Sequence, residues 1–217
     1  MIVMPANNSN AHTLNVVFPD RLGMLFSPAG KRKPRRLRWA MDNGIYSAWV
    51  KSGYSVDKAE QRQHWDEQAF KDMLAWSTEL DTKPDWVVVP DVPANPDETM
   101  LEFRRWVPLI EDYGYTPAIA CQDGMLPSDV PKGAICFMGG TNDFKWPMLT
   151  KFCDALDNVH VGRVNSYHRL WQCHDAGAAS VDGTGFFRGC QRQLKGLIDY
   201  LKEAHGYEPR KVQQNLF

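Results

Sequence analysis

Short apolar runs alternate with segments of helical spacing along most of the chain, and this alternation is the strongest constraint on its fold. Seven runs, each bounded by turn residues, lie at Leu14–Phe18, Leu37–Met41, Trp86–Pro90, Thr116–Cys121, Ala134–Met138, Val159–Gly162 and Ala179–Val181. They are rich in β-branched residues and too short for helices, which predicts strands. A weaker eighth candidate lies near Gly23–Ser27.

Segments of helical spacing separate several of the predicted strands. The predicted helices cover Asp66–Leu80, Asp97–Tyr113, Trp146–Leu156, Ser166–Ala176 and Gln191–His205. Asp97–Tyr113 has the clearest boundaries, because acidic residues follow Pro96 at its start and Gly114 ends it. Strands that alternate with helices predict parallel βαβ units.

The length of 217 residues suits one domain and lies near the lower end of the range for an eight-stranded barrel. We therefore expect an α/β fold, a compact (β/α)8 TIM-like barrel in which residues 1–217 form a single domain. An open doubly wound sheet is the alternative, although no glycine-rich dinucleotide loop supports it.

Charge and cysteine usage narrow the functional classes. The net charge is −1, so any affinity for nucleic acid must come from local patches. None of the five cysteines forms a C-x-x-C pair, which argues against a zinc ribbon, and scattered thiols fit a reducing cytosol. We see no signal peptide and no apolar stretch of about 20 residues. These features predict a cytoplasmic protein (in the host cytoplasm if phage-encoded) with no membrane partner.

A basic segment interrupts the pattern of strands and helices. Six of the eight residues from Lys31 to Arg38 are basic. Such a run is typical either of a solvated loop or of an arm that contacts phosphates. In the second interpretation Arg32, Arg35 and Arg36 would contact a nucleic-acid backbone.

Polar residues and glycines follow the predicted strands where each strand ends. These positions are Asp42-Asn43-Gly44, Asp91, Gln122-Asp123, Gly139-Gly140, Arg163 and Asp182-Gly183. In a (β/α) barrel the carboxyl ends of all strands share one rim, and active sites are built there. The sequence therefore predicts that these side chains meet in one pocket.

Three aspartates at one rim allow two kinds of chemistry. Asp42, Asp91 and Asp182 could hold Mg²⁺ through their oxygens. Alternatively, one could attack carbon while another transfers protons, as in covalent glycosyl transfer. The amide of Gln122 and the Gly139-Gly140 pair favour the second reading, because they suit the edge and the flat face of a base.

Six segments, in this order along the chain, resemble motifs of the tRNA-guanine transglycosylase superfamily. They are Asp42-Asn43-Gly44-Ile45-Tyr46, Val89-Pro90-Asp91, Cys121-Gln122-Asp123-Gly124, Met138-Gly139-Gly140, His160-Val161-Gly162 and Gly177-Ala178-Ala179-Ser180-Val181-Asp182. The resemblance covers roughly residues 37 to 190. It implies that Asp182 is the nucleophile and Asp42 the general acid and base.

The same resemblance implies the base-binding residues. Asp91 and Gln122 would read the heterocycle, and the backbone of Gly139 and Gly140 would contact it. Tyr46 would stack on one face of the base and Val161 would pack on the other. Arg163 and Arg188, together with the basic segment, would contact phosphates.

Two departures from the superfamily pattern point to its DNA-directed members. The cysteine cluster and histidine of the family's zinc module are absent from the sequence, and the chain is much shorter than a tRNA-modifying relative. What is left resembles the phage and bacterial paralogues that insert 7-deazaguanines into DNA. The resemblance therefore implies a DNA-guanine transglycosylase that exchanges guanine for free 7-cyano-7-deazaguanine or a relative, with no cofactor and no metal.

Three alternatives stay open from the sequence alone. The enzyme could act on tRNA, or it could be a metal-dependent nuclease or hydrolase that uses the same aspartates. It could also be a non-catalytic barrel that binds DNA.

The last five residues, 213–217, carry a separate hint. Gln213, Leu216 and Phe217 resemble the short Q-x-x-L-F peptides that dock into bacterial sliding clamps. A sliding clamp is therefore a predicted partner. The alternative is that Leu216 and Phe217 pack back onto the barrel.

Overall fold

Eight parallel strands form a barrel in a computed structural model that describes residues 1–6, 9–188 and 191–204. The strands are β1 Ile2–Met4, β2 Gly23–Phe26, β3 Arg38–Met41, β4 Val87–Val88, β5 Pro117–Cys121, β6 Ile135–Met138, β7 Val159–Val161 and β8 Ser180–Asp182. Their order around the sheet is β1-β8-β7-β6-β5-β4-β3-β2.

The first two strands close the barrel through isolated bridges. Val3 pairs with Leu22 and Ala6 with Leu25, both in parallel. The Val3 N–H donates to the Arg21 carbonyl over 2.9 Å. The predicted single-domain (β/α)8 barrel is therefore confirmed, and the open sheet is excluded.

Helices cover most of the outer surface of the barrel. Those described are α1 Ser9–Val17, α2 Ile45–Lys51, α3 Lys58–Gln63, α4 Glu67–Ser77, α5 Pro96–Asp112, α6 Asn142–Ala155, α7 Tyr167–Asp175, α8 Gly185–Arg188 and α9 Gln191–Ala204. The predicted helix at Asp97–Tyr113 is confirmed as α5. The Asn95 side chain begins it by accepting from the Glu98 N–H over 3.1 Å.

The predicted strand at Leu14–Phe18 is wrong, because most of that segment belongs to α1. Its valines are not part of the hydrophobic core, because Val16 is 84% and Val17 62% exposed. The first strand of the barrel is instead β1, whose three residues are too few for a periodic signal.

Two connections lack an α-helix. Between β2 and β3 the only regular structure is a 3-10 turn at Pro28–Gly30, and between β5 and β6 one at Pro127–Asp129. The basic segment therefore takes the place of the helix that would normally link β2 to β3. It leads from the carboxyl end of β2 back to the amino end of β3.

Alternate residues of each strand point to opposite sides of the barrel wall. One cluster contains only strand residues and their neighbours, and it fills the interior: Met4, Leu25, Ala40, Trp86, Val88, Ala118 and Ala120. The larger cluster lies between wall and helices and includes strand residues such as Val161 and Val181 beside helix residues such as Phe70. Within the described residues no helix is long and apolar enough to cross a membrane.

Candidate active site

A cavity of about 730 Å³ lies where the carboxyl ends of the strands meet. Most of the predicted site residues line it: Asp42, Tyr46, Asp91, Gln122, Gly139, Gly140, Arg163, Asp182 and Arg188. The barrel thus brings together side chains that are spread over most of the sequence. Active sites of barrel enzymes occupy this end.

Asp42 lies directly after β3 in the wall of this cavity. Its backbone N–H donates to the Phe26 carbonyl over 2.7 Å, and one carboxylate oxygen accepts from the Gly44 N–H over 3.3 Å. The pKa of Asp42 is raised to about 7, mainly by burial and also by the charges of Asp182 and Asp91, although hydrogen bonds from the backbone of Gly44 and Asn43 lower it. Asp42 therefore exchanges a proton close to neutral pH.

Asp91 is held by two amide side chains. Asn43 donates to one of its oxygens over 2.9 Å and Gln122 to the other over 2.9 Å. Burial raises the pKa of Asp91 to about 6, although these two bonds and the charge of Arg62 lower it. Asp91 and Asp42 are thus both carboxyls that titrate well above the usual range.

Gln122 is committed to contacts within the protein. Besides Asp91, its Nε2 donates to the Ala120 carbonyl over 3.3 Å, and its Oε1 accepts from the Ala94 N–H over 3.1 Å. Its donors and its acceptor are therefore engaged, and only 3% of the residue is exposed. Gln122 supports Asp91 and also lines the cavity, and its contact with a base stays a prediction.

Asp182 is fixed from two directions at the end of β8. One oxygen accepts from the backbone N–H of Arg163 over 3.0 Å, and the other lies 3.1 Å from His160 Nε2. His160 Nδ1 lies 2.8 Å from the hydroxyl of Ser180. This chain of three side chains lies inside the barrel, where Trp86 and Phe137 flank the imidazole ring.

Val161 does not line the cavity, so its predicted contact with a ligand is wrong. It is completely buried in the cluster between barrel wall and helices. The cause is the alternation of side chains along a strand: His160 points inward and Val161 outward. The sequence signal for His160 as a residue of the site is a histidine within an apolar strand of three residues.

Arg163 reaches across the mouth of the barrel. It follows β7, and its guanidinium lies over the ring of Tyr46, 4.9 Å from the ring centre. The guanidinium also donates to the Tyr46 hydroxyl over 3.3 Å and to the Gly140 carbonyl. Since β3 and β7 face each other across an eight-stranded barrel, these contacts join opposite sides of the rim.

Asp123 shapes the rim beside Gly140. Its two oxygens accept from the backbone N–H and the hydroxyl of Thr141, each over 2.6 Å. A Cβ at Gly140 would lie 2.5 Å from the Asp123 carboxylate and 2.7 Å from Phe144. Contacts within the protein therefore account for this glycine without a bound base.

The predicted phosphate-contacting arginines separate into two groups. Arg163 and Arg188 line the cavity. Arg32, Arg35 and Arg36 are exposed and do not line it, and Arg35 and Arg36 lie near the amino end of β3. Arg35 and Arg36 lie at the opposite end of the barrel from the cavity, because the chain must return there to begin a parallel strand.

Lys145 is a buried cation next to the site that the sequence did not reveal. It lies on α6 and its Nζ donates to the carbonyl of Gly162 over 2.5 Å. Its pKa is lowered to about 8, mainly by burial and also by the charge of Arg163. A lysine in an amphipathic helix is normally expected at the surface, so no pattern singled it out.

Metal-ligating side chains do not cluster in the part of the chain that the structure describes: no three of His, Cys, Asp or Glu are placed to share an ion. The predicted clamp-binding residues Gln213, Leu216 and Phe217 lie outside the described residues. The sliding clamp therefore stays a prediction.

No family model matches the chain, and no curated protein matches its sequence. Solved structures that resemble it include a 3-hexulose-6-phosphate synthase, with a TM-score of 0.54 and 12% identity over 93% of this chain and 99% of that one. The 3-hexulose-6-phosphate synthase of Salmonella typhimurium gives a TM-score of 0.51 and 13% identity, covering 93% of this chain and 97% of that one. At such identities the likeness shows the shared barrel fold.

These comparisons contradict the predicted exchange of guanine for a 7-deazaguanine in DNA. Two solved structures that share the fold over nearly their whole length are synthases named for a small sugar phosphate. The motifs behind the prediction were short and lie at strand ends, where any enzyme of this fold places polar residues. Membership of the transglycosylase superfamily and a nucleic-acid partner stay untested predictions.

Proposed function

We propose that the chain is an enzyme that transfers protons on a small hydroxylated carbonyl compound, of the size of a sugar phosphate, bound in the cavity at the carboxyl ends of the strands. The observation that carries this proposal is the convergence of Asp42, Asp91 and Asp182 on that one cavity. A volume of about 730 Å³ lies within the range of small-molecule sites.

Asp42 is the proton-transferring group. Its carboxylate takes a proton from a carbon next to the carbonyl group, and the electron pair moves onto the carbonyl oxygen. Asp42 then returns the proton to the same carbon. Alternatively, the hydroxyl proton moves to the former carbonyl oxygen and Asp42 returns its proton to the former carbonyl carbon, which leaves the carbonyl group at the neighbouring position. A pKa of about 7 suits this task, because a group is most effective when its pKa lies near the working pH.

Arg163 and Asp182 serve the substrate in different ways. The guanidinium of Arg163 at the cavity would stabilise the negative charge that develops on the carbonyl oxygen. Asp182, whose orientation is fixed by His160 and the Arg163 N–H, can accept hydrogen bonds from substrate hydroxyl groups. Asp91 acts through Asp42, because its charge raises the pKa of Asp42.

Arg188 favours a substrate with an anionic substituent. It is exposed at the cavity, and it forms no salt bridge with any residue that the structure describes. A guanidinium matches the geometry of a phosphate group. The names of the synthases with a similar fold, which include a hexulose 6-phosphate, support a phosphorylated sugar as the first compound to test.

The test is solvent deuterium exchange. The purified protein is incubated in D₂O with aldoses, ketoses and their monophosphates, with and without added divalent cations, and carbon-bound deuterium is followed by NMR. We expect incorporation next to the carbonyl group of at least one phosphorylated compound. Asp42→Asn should remove it, whereas the matched change Asp112→Asn, at an exposed position of α5, should not.

Two results would contradict the proposal. One is the absence of deuterium in every compound while the protein is folded by circular dichroism. The other is incorporation that survives Asp42→Asn, since the proton would then be handled by another group.

A further inference from the structure

Lys145 is a completely buried ammonium group that forms no salt bridge with any described carboxylate. An isolated buried charge is strongly unfavourable, so proteins keep one only where other groups compensate it. The groups that compensate the charge of Lys145 are the Gly162 carbonyl, which accepts a hydrogen bond from Nζ, and the ring of Trp146, whose centre lies 5.1 Å from Nζ.

One peptide group links this ammonium to the carboxylate of Asp182. The carbonyl of Gly162 accepts from Lys145 Nζ over 2.5 Å. The N–H of the same peptide group belongs to Arg163 and donates to Asp182 over 3.0 Å. Cation, peptide and carboxylate thus form a chain of two hydrogen bonds in which each bond polarises the other.

We propose that Lys145 is a positioning residue for Asp182 and acts through the peptide group between Gly162 and Arg163. The ammonium holds the carbonyl of this peptide on the outer side of the barrel wall. The N–H on the opposite side is thereby aimed into the cavity and strengthened as a donor. The catalytic consequence of this inference rests on the proposed function, whereas the hydrogen-bond chain does not.

The local backbone supports this role. A Cβ at Gly162 would lie 2.9 Å from the Phe137 ring and 3.3 Å from Oδ2 of Asp182. The backbone at Gly162 therefore passes close to both side chains. Arg163 has a φ of 60°, which a residue with a side chain rarely adopts. Such a conformation persists only where surrounding contacts hold it, and Lys145 provides one of them.

The charged and titratable groups around Lys145 come from three elements. Arg163 lies on the turn after β7, Asp182 on β8, and Arg169 and Cys173 on α7. Burial and the two arginines favour the neutral amine, while Asp182 and Cys173 favour the ammonium, and the pKa of Lys145 is lowered to about 8. The two hydrogen bonds that link Lys145, the peptide group and Asp182 should therefore weaken when the pH rises through this value.

The test follows the peptide group directly by NMR. In the wild-type protein the carbonyl carbon of Gly162 and the amide proton of Arg163 should titrate together with an inflection near pH 8. Lys145→Met should abolish this inflection and move the Arg163 amide proton upfield. Lys145→Gln, which keeps a donor without the charge, should abolish the inflection with a smaller upfield shift.

A matched control lies on the same helix. Lys151 is exposed on α6, so Lys151→Met should leave the Arg163 amide signal and its inflection unchanged. If neither Lys145 variant folds, the wild-type titration still decides. An Arg163 amide that does not respond near pH 8 in the folded wild-type protein overturns the inference.

Kinetics with a compound found by deuterium exchange add an independent readout. Lys145→Met should lower kcat by up to about 10²-fold, as expected for a small displacement of a catalytic group, and leave KM within about twofold. A purely structural lysine would change the melting temperature but leave kcat of the folded fraction intact. If Gly162 and Arg163 titrate together but no compound exchanges deuterium, this inference stands and the proposed function is contradicted. If deuterium exchange occurs but the two groups do not titrate together, the proposed function stands and this inference is overturned.

Discussion

At the scale of single residues, Asp42 and Asp91 show how the interior of the barrel changes ordinary aspartates. Both follow strands, and desolvation in the wall of the cavity is the main cause of each raised pKa. Asp91 accepts hydrogen bonds from two side chains and lies near the opposite charge of Arg62, whereas Asp42 accepts hydrogen bonds only from the backbone and lies near two like charges. This difference explains why the pKa of Asp42, about 7, is the higher of the two.

The first prediction concerns the pH dependence of activity. A general base must be ionised, so kcat/KM should rise as the pH rises through about 7 and level off above it. A profile of kcat/KM between pH 5 and pH 9 checks this, once deuterium exchange has identified a substrate. A rate that is constant across this range would exclude Asp42 as the base.

The second prediction concerns Arg188. Arg188→Gln should raise KM for a phosphorylated substrate by about tenfold, since one charge-assisted contact is lost, while kcat changes little. The unphosphorylated sugar should be unaffected. Arg36→Gln removes an equally exposed guanidinium at the other end of the barrel and should leave both constants unchanged. Equal effects of the two changes would contradict the assigned anion site.

Sequence reasoning found most of the side chains of the site but not all their roles. It placed Asp42, Asp91 and Asp182 at strand ends, and the barrel brings them to one cavity. The resemblance implied a ligand contact for Val161, but the alternation along β7 turns His160 towards the interior and Val161 away from it. The support that Gln122 gives to Asp91 could not be predicted, since only the fold brings Asp91 and the Ala94 N–H to its side chain.

At the scale of elements, the rim between β6 and α6 depends on a glycine with no room for a side chain. Gly140 has a φ of 62°, and a Cβ there would collide with Asp123 and Phe144. The third prediction is that Gly140→Ala lowers the free energy of unfolding by on the order of 2–4 kcal/mol and detaches the Arg163 side chain from the rim. Urea unfolding measures the first effect.

Gly177 provides the matched control. Its φ is 85°, but nothing lies within 4 Å of an added Cβ. Gly177→Ala therefore reports the cost of the backbone conformation alone, about 1 kcal/mol. Equal losses of stability in the two variants would show that the contact with Asp123 is unimportant.

The pattern of elements was predictable where periodicity extends over many residues. The long amphipathic helix α5 and the strand β5 follow their predicted bounds closely. The three residues of β1 gave no signal, and the β-branched residues of α1 suggested a strand. Both errors lie where tertiary contacts, rather than local preference, decide the structure.

At the scale of the whole molecule, the site lowers the stability of the barrel. A carboxyl whose pKa is raised in the folded state makes folding less favourable as the pH rises from its unfolded value near 4 to about 7. The fourth prediction is that Asp42→Asn raises the free energy of unfolding at pH 8 by on the order of 2–4 kcal/mol. The difference should shrink as the pH falls towards 4 and vanish below that value, where Asp42 is protonated in both states.

Unfolding in urea at pH 4, 6 and 8 measures this effect. Asp112→Asn, which changes an exposed aspartate, should show no such dependence on pH. A destabilised Asp42→Asn protein at pH 8 would mean that the ionised carboxylate is favourable in the folded barrel, contrary to the proposed environment.

The carboxyl titration of Asp42 tests the central claim most directly, because it needs no substrate. Carbon-13 NMR of protein labelled at aspartate, with Asp42→Asn to assign the signal, should show Asp42 titrating near pH 7. That result would establish a proton-transferring group at neutral pH in the cavity. Titration near pH 4 would contradict the account, since a carboxylate of ordinary pKa is a much weaker base than the group proposed to take the proton at neutral pH.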